Sequence, residues 1–387
     1  MRKYTMHLAV LGMALAASVS ACAALRRHRH SPRIARTLTS ALDSIHGSQI
    51  KQHMSVLADD RLEGRGLGSA GHDAALAHVE ATLKSYGLQP AGQQGGFHQR
   101  VPLRNSIVTE GTSSMTVRSG AKTKTLTYAK DYLLGADLLR SEVSIADAPV
   151  VFVGYGVSAP ALGYDDYAAG VDVKGKVVAY LSGAPAMLAS NERAYYSSGA
   201  VKEAEAAKRG AIGTISFTSP DDPRFRWDVS VATGKQGGFA WMDAQGNPNR
   251  GDASLRGSAS LNHSGVEALF AGAPQAPAAV FAAAAKSTPQ AFDLATRVSL
   301  VTHSTHRDVE SANLVARLEG SDPALKDEHV VYIAHVDHFR TGRRDERRRH
   351  LQRCARQRLR RRDRARGRAR VLDIEDAGRG ALCCSCS

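Results

Sequence analysis

The chain changes character inside one stretch, "EHVVYIAHVDHFRTGRRDERRR", from Glu328 to Arg349. Up to Phe339 the residues are those of a buried strand running into a group of His and Asp. From Arg340 onward they are polar, rich in Arg and free of Lys. A segment so charged has little apolar surface to offset the entropy of ordering it. Whatever selected fold the chain has is therefore expected before residue 340.

Charge follows the same boundary. Arg340 to Ser387 holds 17 Arg against 6 Asp and Glu, which accounts for +11 of the net +14. The remainder carries 34 basic and 31 acidic side chains, so the bulk of the protein is near neutral and offers no polyanion-binding surface by composition. Cysteine is equally uneven: Cys354, Cys383, Cys384 and Cys386 lie in the tail and Cys22 alone lies outside it. The body has no disulfide framework. At 387 residues it is long enough for two domains with real cores.

The N-terminus reads as an export signal. Arg2 and Lys3 precede an uncharged, mostly apolar run from Leu8 to Ala21. As a helix, that run falls short of the roughly 20 residues needed to span a bilayer. It ends in Val19-Ser20-Ala21-Cys22, which resembles a bacterial lipobox and would leave Cys22 as a lipid-bearing N-terminus. An ordinary signal peptide cleaved nearby is the alternative. Either way the expected location is outside the cytoplasm: periplasm or outer membrane for a lipoprotein, otherwise secreted. Residues 23–44 read as a flexible basic linker.

Ordered structure is expected from about residue 45. Leu76, Val79, Leu83 and Tyr86 recur at helical spacing, with Gly87 placed to cap the end. The polar loop Asp59 to Gly71 leads into that helix. Residues 105–134 alternate Thr and Val among polar residues, a strand pattern. Near Ala148 the rhythm becomes strand, helix, strand. "APVVFVGYGV" is a strand closed by glycines, and Lys174-Gly175-Lys176 turns into the strand Val177 to Leu181. A helix then stops at Gly210 before the strand Ile212 to Phe217. That order implies an α/β unit, and its charged residues show no metal or triad spacing. Asn313 to Leu318 and His329 to Ala334 are two further strands around a turn; the second is apolar on both faces, as in a covered sheet.

His335 and Asp337 stand just past the end of that second strand, where ligands gather in open α/β sheets. Two residues apart, they share one side of an extended chain. An imidazole there can bind zinc while the carboxylate accepts its other N–H and fixes the tautomer. A histidine at a strand end is more commonly a surface residue, and catalytic zinc needs about three protein ligands.

Three blocks in order, "LADDRLEGRGLGSAG…YGLQPAG", "YDDYAAGVDVKGKVV" and "SANLVARLEGSDPALKDEHVVYIAHVDH", resemble the M28 family of zinc aminopeptidases. The likeness is to exported bacterial members with an inserted protease-associated (PA) domain, and covers about residues 45–339. It implies an α/β fold: a zinc-peptidase, phosphorylase/hydrolase-like mixed sheet with helices on both faces, here truncated, plus an inserted α/β PA domain. The implied organisation is a peptidase domain from 45–144 and 296–339, interrupted by the PA-like domain at 145–295. The implied activity is hydrolysis of N-terminal residues from peptide substrates with two zinc ions as cofactors. By that resemblance His335 is a metal ligand and Asp337 the carboxylate that orients it.

The family pattern stops there. Its metal-bridging Asp, Glu-Glu pair, later Asp and final His do not follow in this chain. Beginning each degenerate codon one nucleotide later, however, Asp345 to Leu351 permits Met-Asn-Gly-Asp-Asp-Ile-Tyr. Gln352 to Arg360 then permits Asn-Gly-Ala-Arg-Asp-Asn-Ala-Ser-Gly, the family's own run, in register. The expectation is a frameshift at or beside codon 340, with 340–387 an out-of-frame tail without native fold. The remaining metal ligands and the general base are thus absent from the sequence, and the literal chain is expected to be inactive. An Arg-rich arm for nucleic acid is disfavoured in an exported protein, and the "CCSC" cluster lacks paired zinc-ligand spacing. A non-catalytic PA-domain binding protein on a degenerate peptidase scaffold is the remaining alternative. The expected partners are peptides and, through Cys22, a membrane; nucleic acid is not among them.

Overall fold

The computed structural model describes residues 39–168, 170–223, 225–249, 252–338 and 380–384. The segment expected to direct export, with Cys22, and most of residues 340–387, expected to be out of frame, lie outside the described residues. Of the described residues, those up to Arg61 belong to one compact unit and those from Leu62 to another. In the first, helix α1 (Gly47–Leu57) buries none of its residues, and Ile50 and Met54 stay exposed.

The second unit begins with the loop before helix α2 (Ala70–Ser85). Ser69 caps α2 by accepting the His72 N–H, and the face His72, Ala75, Leu76 and Leu83 is buried. The end is a Schellman turn: Leu88 N–H bonds to Leu83 O, Gly87 N–H to Lys84 O, and Gly87 takes φ +73°. Tyr86, expected on the apolar face, is instead the exposed C-cap, because the chain leaves helical geometry there.

The first strands are β1 (Gln89–Pro90), β2 (His98–Val108), β3 (Ser114–Ser119), β4 (Lys122–Thr125) and β5 (Tyr132–Leu134). Then come β6 (Glu142–Phe152), β7 (Ser158–Ala159), β8 (Tyr164–Asp165) and β9 (Val177–Leu181). Helices α3 (Ser190–Tyr196) and α4 (Gly199–Lys208) precede β10 (Gly213–Phe217). Helix α5 (Trp227–Gly234), β11 (Gly238–Trp241) and β12 (Ser258–Leu261) follow. Helices α6 (His263–Leu269) and α7 (Pro277–Ala285) lead to β13 (Phe292–Arg317). The last two strands are β14 (Val330–Ala334) and β15 (Gly380–Cys384).

The fold is α/β around one large mixed sheet in the order β11-β2-β13-β6-β9-β10-β12-β5. β6, β9, β10 and β12 run parallel to one another, while β13 pairs antiparallel with both β2 and β6. Burial shows why these apolar runs become strands. Val150, Phe152, Val177, Ala179 and Leu181 enter one core with Val266 and Leu269 of α6 and Val280 of α7. The alternate residues Val151, Val153, Val178 and Tyr180 enter another with Ala206 of α4. Helices therefore cover both faces, which continuous rather than alternating hydrophobicity requires. Phe152, Phe217, Phe270 and Phe292 meet in the first core with ring centroids 5.4–6.3 Å apart. Gly175 (φ +70°) makes the Lys-Gly-Lys turn and Gly210 (φ +87°) ends α4, two positions where left-handed backbone favours glycine.

β13 is the spine of the unit. Its 26 residues pair with β3 and β6 in the first half and with β2 in the second. The sequence indicated only its end, from Asn313, because the Ser, Thr and His of "VSLVTHSTHRDVES" conceal a period-two burial pattern. The sheet formed by the 145–295 segment also takes in β3, β4 and β5, which precede that segment.

β14 differs from every other apolar strand. Among the described residues it pairs with β15 alone, in parallel, and all five of its residues are exposed. Val331 is 55% and Ile333 70% exposed. β15 in turn pairs with β13, so five residues of the tail stand between β14 and the rest of the sheet.

Candidate functional site

β14 carries the candidate site. Beyond its carboxyl end the backbone turns Val336 inward to 7% exposure. The ring of His335 stays open to solvent, while the Asp337 side chain is largely covered. His335 Nδ1 lies 2.9 Å from the Asp337 backbone carbonyl oxygen. Because a carbonyl can only accept, Nδ1 carries the hydrogen, and in the neutral ring Nε2 then holds the lone pair. The Asp337 carboxylate, expected to take that N–H, is 3.5 Å away at Oδ1, a close approach rather than a hydrogen bond. That buried Oδ1 has no hydrogen-bond partner.

The loop preceding α2 closes over this segment. Arg65 Nε donates to the Val336 carbonyl at 2.8 Å, and the His338 N–H donates to the Arg65 carbonyl at 3.1 Å. Glu63, Gly64 and Arg65 all have positive φ, at +47°, +82° and +56°. Gly68 (φ +69°) lies against Val309 of β13, which seats the loop on the sheet.

Charge converges on Asp337. Burial lowers the pKa of Arg65, and the Asp337 carboxylate opposes that shift. Burial also lowers His72, on the first turn of α2, with Arg65 acting in the same direction and Asp337 and Asp73 against it. His338 is lowered by burial first, then by Arg65 and His335, and raised by Asp337. One carboxylate thus influences a guanidinium and two imidazoles. Of these residues, sequence reasoning singled out only His335 and Asp337. Arg65, His72 and His338 carried no spacing signal, although Arg65 and His338 lie in quoted blocks and His72 directly follows Gly71 of the first.

The ring tautomer of His335 suits a metal, but the ligand set is incomplete. Among the described residues there is no group of three or more His, Cys, Asp or Glu side chains arranged to hold a metal ion. One imidazole does not retain a catalytic zinc, which takes about three protein ligands. The implied di-zinc centre therefore does not fit the described residues, and no chemical step can be routed through it. A cleft of about 310 Å³ opens elsewhere, beside Asp137, Glu203, Gly237 and Gly257, and none of residues 335–338 lines it.

No family model and no curated protein sequence matches the chain. Solved structures do. An aminopeptidase from Aneurinibacillus sp. strain AM-1 is 18% identical over 74% of this chain and 52% of that one, with a TM-score of 0.34. Two structures of BSAP, a zinc aminopeptidase from Bacillus subtilis, are 14% and 15% identical over 74% of this chain and 50% of theirs, with TM-scores of 0.29 and 0.28. The chain spans about half the length of the solved structures it resembles.

Proposed function

We propose that the chain is the N-terminal part of a zinc-dependent aminopeptidase of the M28 type, and that the 387-residue form is itself inactive. One observation carries this reading: His335 emerges from the carboxyl end of β14 with Nδ1 hydrogen-bonded and Nε2 left as the lone-pair nitrogen, beside a covered carboxylate. That is the state in which an imidazole binds a metal. The two-ion centre, the general base and the bridging carboxylate would be encoded in the shifted frame after codon 340. Residues 145–295 would act as the PA-like domain that shapes access for peptide substrates. Residues 1–22 would direct export, with Cys22 as the lipid anchor.

A second reading rests on His335 standing without a three-ligand group among the described residues: a non-catalytic PA-domain binding protein on a degenerate peptidase scaffold. Nucleotide sequencing across codon 340, followed by correction of the one-base slip, separates the two. The corrected protein should contain zinc and hydrolyse aminoacyl p-nitroanilides. An uninterrupted reading frame at that codon would defeat the frameshift. A corrected, soluble protein without zinc-dependent hydrolysis would leave the binding scaffold as the function.

A further inference from the structure

We propose that Arg65 is the positioning residue of the 335–338 segment, an assignment that rests on the peptidase reading only for its catalytic meaning. The contact is two-sided. The Arg65 side chain grips the carbonyl of Val336, between His335 and Asp337, and the Arg65 carbonyl receives the N–H of His338. Residues 336 and 338 are thus fixed from one point in the chain, 271 residues before Val336. The flanking residues His335 and Asp337 have little freedom left. The geometry by which the Asp337 carbonyl orders the His335 ring follows from that restraint.

The loop is shaped for this grip. Three consecutive residues with positive φ, two of them not glycine, form a conformation that persists only where surroundings over-determine it. Here the surroundings are the carbonyl of Leu62, which accepts the Arg65 N–H at 2.8 Å, and the 336–338 backbone. Arginine suits the position for two reasons. Its planar fork donates along a fixed direction, and its charge faces the Asp337 carboxylate. A loop whose role was only to close over α2 would need no side chain directed at residue 336.

The test uses the full 387-residue chain with ¹⁵N-labelled histidine, without added zinc or substrate. Ring nitrogen shifts of His335, assigned with a His335→Gln control, should report the Nδ1–H tautomer. Arg65→Ala should convert that signal to a tautomer-averaged one. Arg65→Lys, which can still donate to the Val336 carbonyl, should retain it. If Arg65→Ala does not fold, Arg65→Met, which keeps the aliphatic stem but has no donor, is read in its place and should lose the signal. An unaltered His335 signal in the folded Ala or Met variant overturns the assignment. So does loss of the signal in Arg65→Lys equal to that in Arg65→Ala. Because the readout needs neither metal nor turnover, a chain that proves to be no peptidase leaves this result standing or falling independently.

Discussion

The ammonium group of Lys202 lies 2.8 Å from the carbonyl oxygen of Leu181, and the lysine is 1% exposed. It also donates to the Gly183 carbonyl and sits over the rings of Tyr155 and Tyr180. A lysine on α4 thereby donates to carbonyls at and just beyond the end of β9. Burial pushes Lys202 down to about 7, partly opposed by Asp166. Burial pushes Asp166 up to about 6, against hydrogen bonds from the Val157 N–H and the Tyr164 hydroxyl.

These shifts fix a pH dependence. Below about pH 7 Lys202 is charged in both folded and unfolded states, so its contribution is flat. Between about 7 and its ordinary value of 10.5 the unfolded state binds the extra proton, and folding gains stability with rising pH. Asp166 acts oppositely between its ordinary 3.8 and about 6, where the folded state holds the extra proton and stability falls as pH rises. The pair therefore contributes a minimum between about pH 6 and 7. Lys202→Met should remove the alkaline limb. Its destabilisation relative to the parent should grow between pH 7 and 9 by up to about 1.4 kcal/mol per pH unit. Urea unfolding at both pH values measures this, and a difference that does not change with pH excludes it.

Gly71 sits where α2 meets the loop that carries Arg65. A Cβ at this position would fall 1.8 Å from the Leu62 carbonyl oxygen and 2.5 Å from its carbon, both backbone atoms. Alanine ordinarily stabilises a helix over glycine by about 0.8–1 kcal/mol. Here the overlap should outweigh that gain and leave Gly71→Ala less stable by about 1–3 kcal/mol. Leu62 accepts the Arg65 N–H, so the displacement should reach Arg65 and speed amide exchange at His338. An unchanged urea midpoint with unchanged exchange at His338 would show that the loop accommodates the methyl group.

The parts of the fold legible in the sequence are those whose signal is local. Val177 to Leu181, the helix before Gly210 and the strand after it show continuous apolar runs bounded by glycine, and both faces are covered accordingly. β13 was legible only at its end because Thr302 and Ser304, both buried, interrupt the apolar period where the strand crosses between its partners. His335 and Asp337 were singled out because they stand at the end of the third of the blocks that carry the family resemblance; two residues at a strand end are by themselves a weak signal. Arg65 could not, since its significance depends on a partner 271 positions away, and no local pattern encodes such a contact. The glycine at 64 was the visible sign of an unusual backbone, without a direction.

β14 should govern solubility. A strand open on both faces with four large apolar residues exposed invites pairing with other chains. Val331 and Ile333 project from the same face, and neither is buried. Replacing both with lysine should change stability within about 0.5 kcal/mol per site, as for surface positions generally. The soluble fraction should nonetheless rise, since charge on an exposed strand opposes edge pairing. Light scattering on parent and double variant at matched concentration measures it. Equal scattering by both would mean that this strand does not drive association.

Metal removal separates the chain as written from the chain as its shifted frame would complete it. With no three-ligand group among the described residues, the 387-residue protein should unfold at the same temperature with and without EDTA. A completed centre behaves differently, because a metal that binds only the folded state stabilises it by RT ln(1 + [L]/Kd). At a free zinc concentration of about 100 times Kd this amounts to about 2.7 kcal/mol. The frame-corrected protein should lose that stabilisation on chelation, and His335→Ala should reduce it by removing one ligand. Calorimetry on the three proteins with and without EDTA reads the difference directly. A chelator-sensitive melting temperature in the 387-residue chain would mean that it already assembles a metal site.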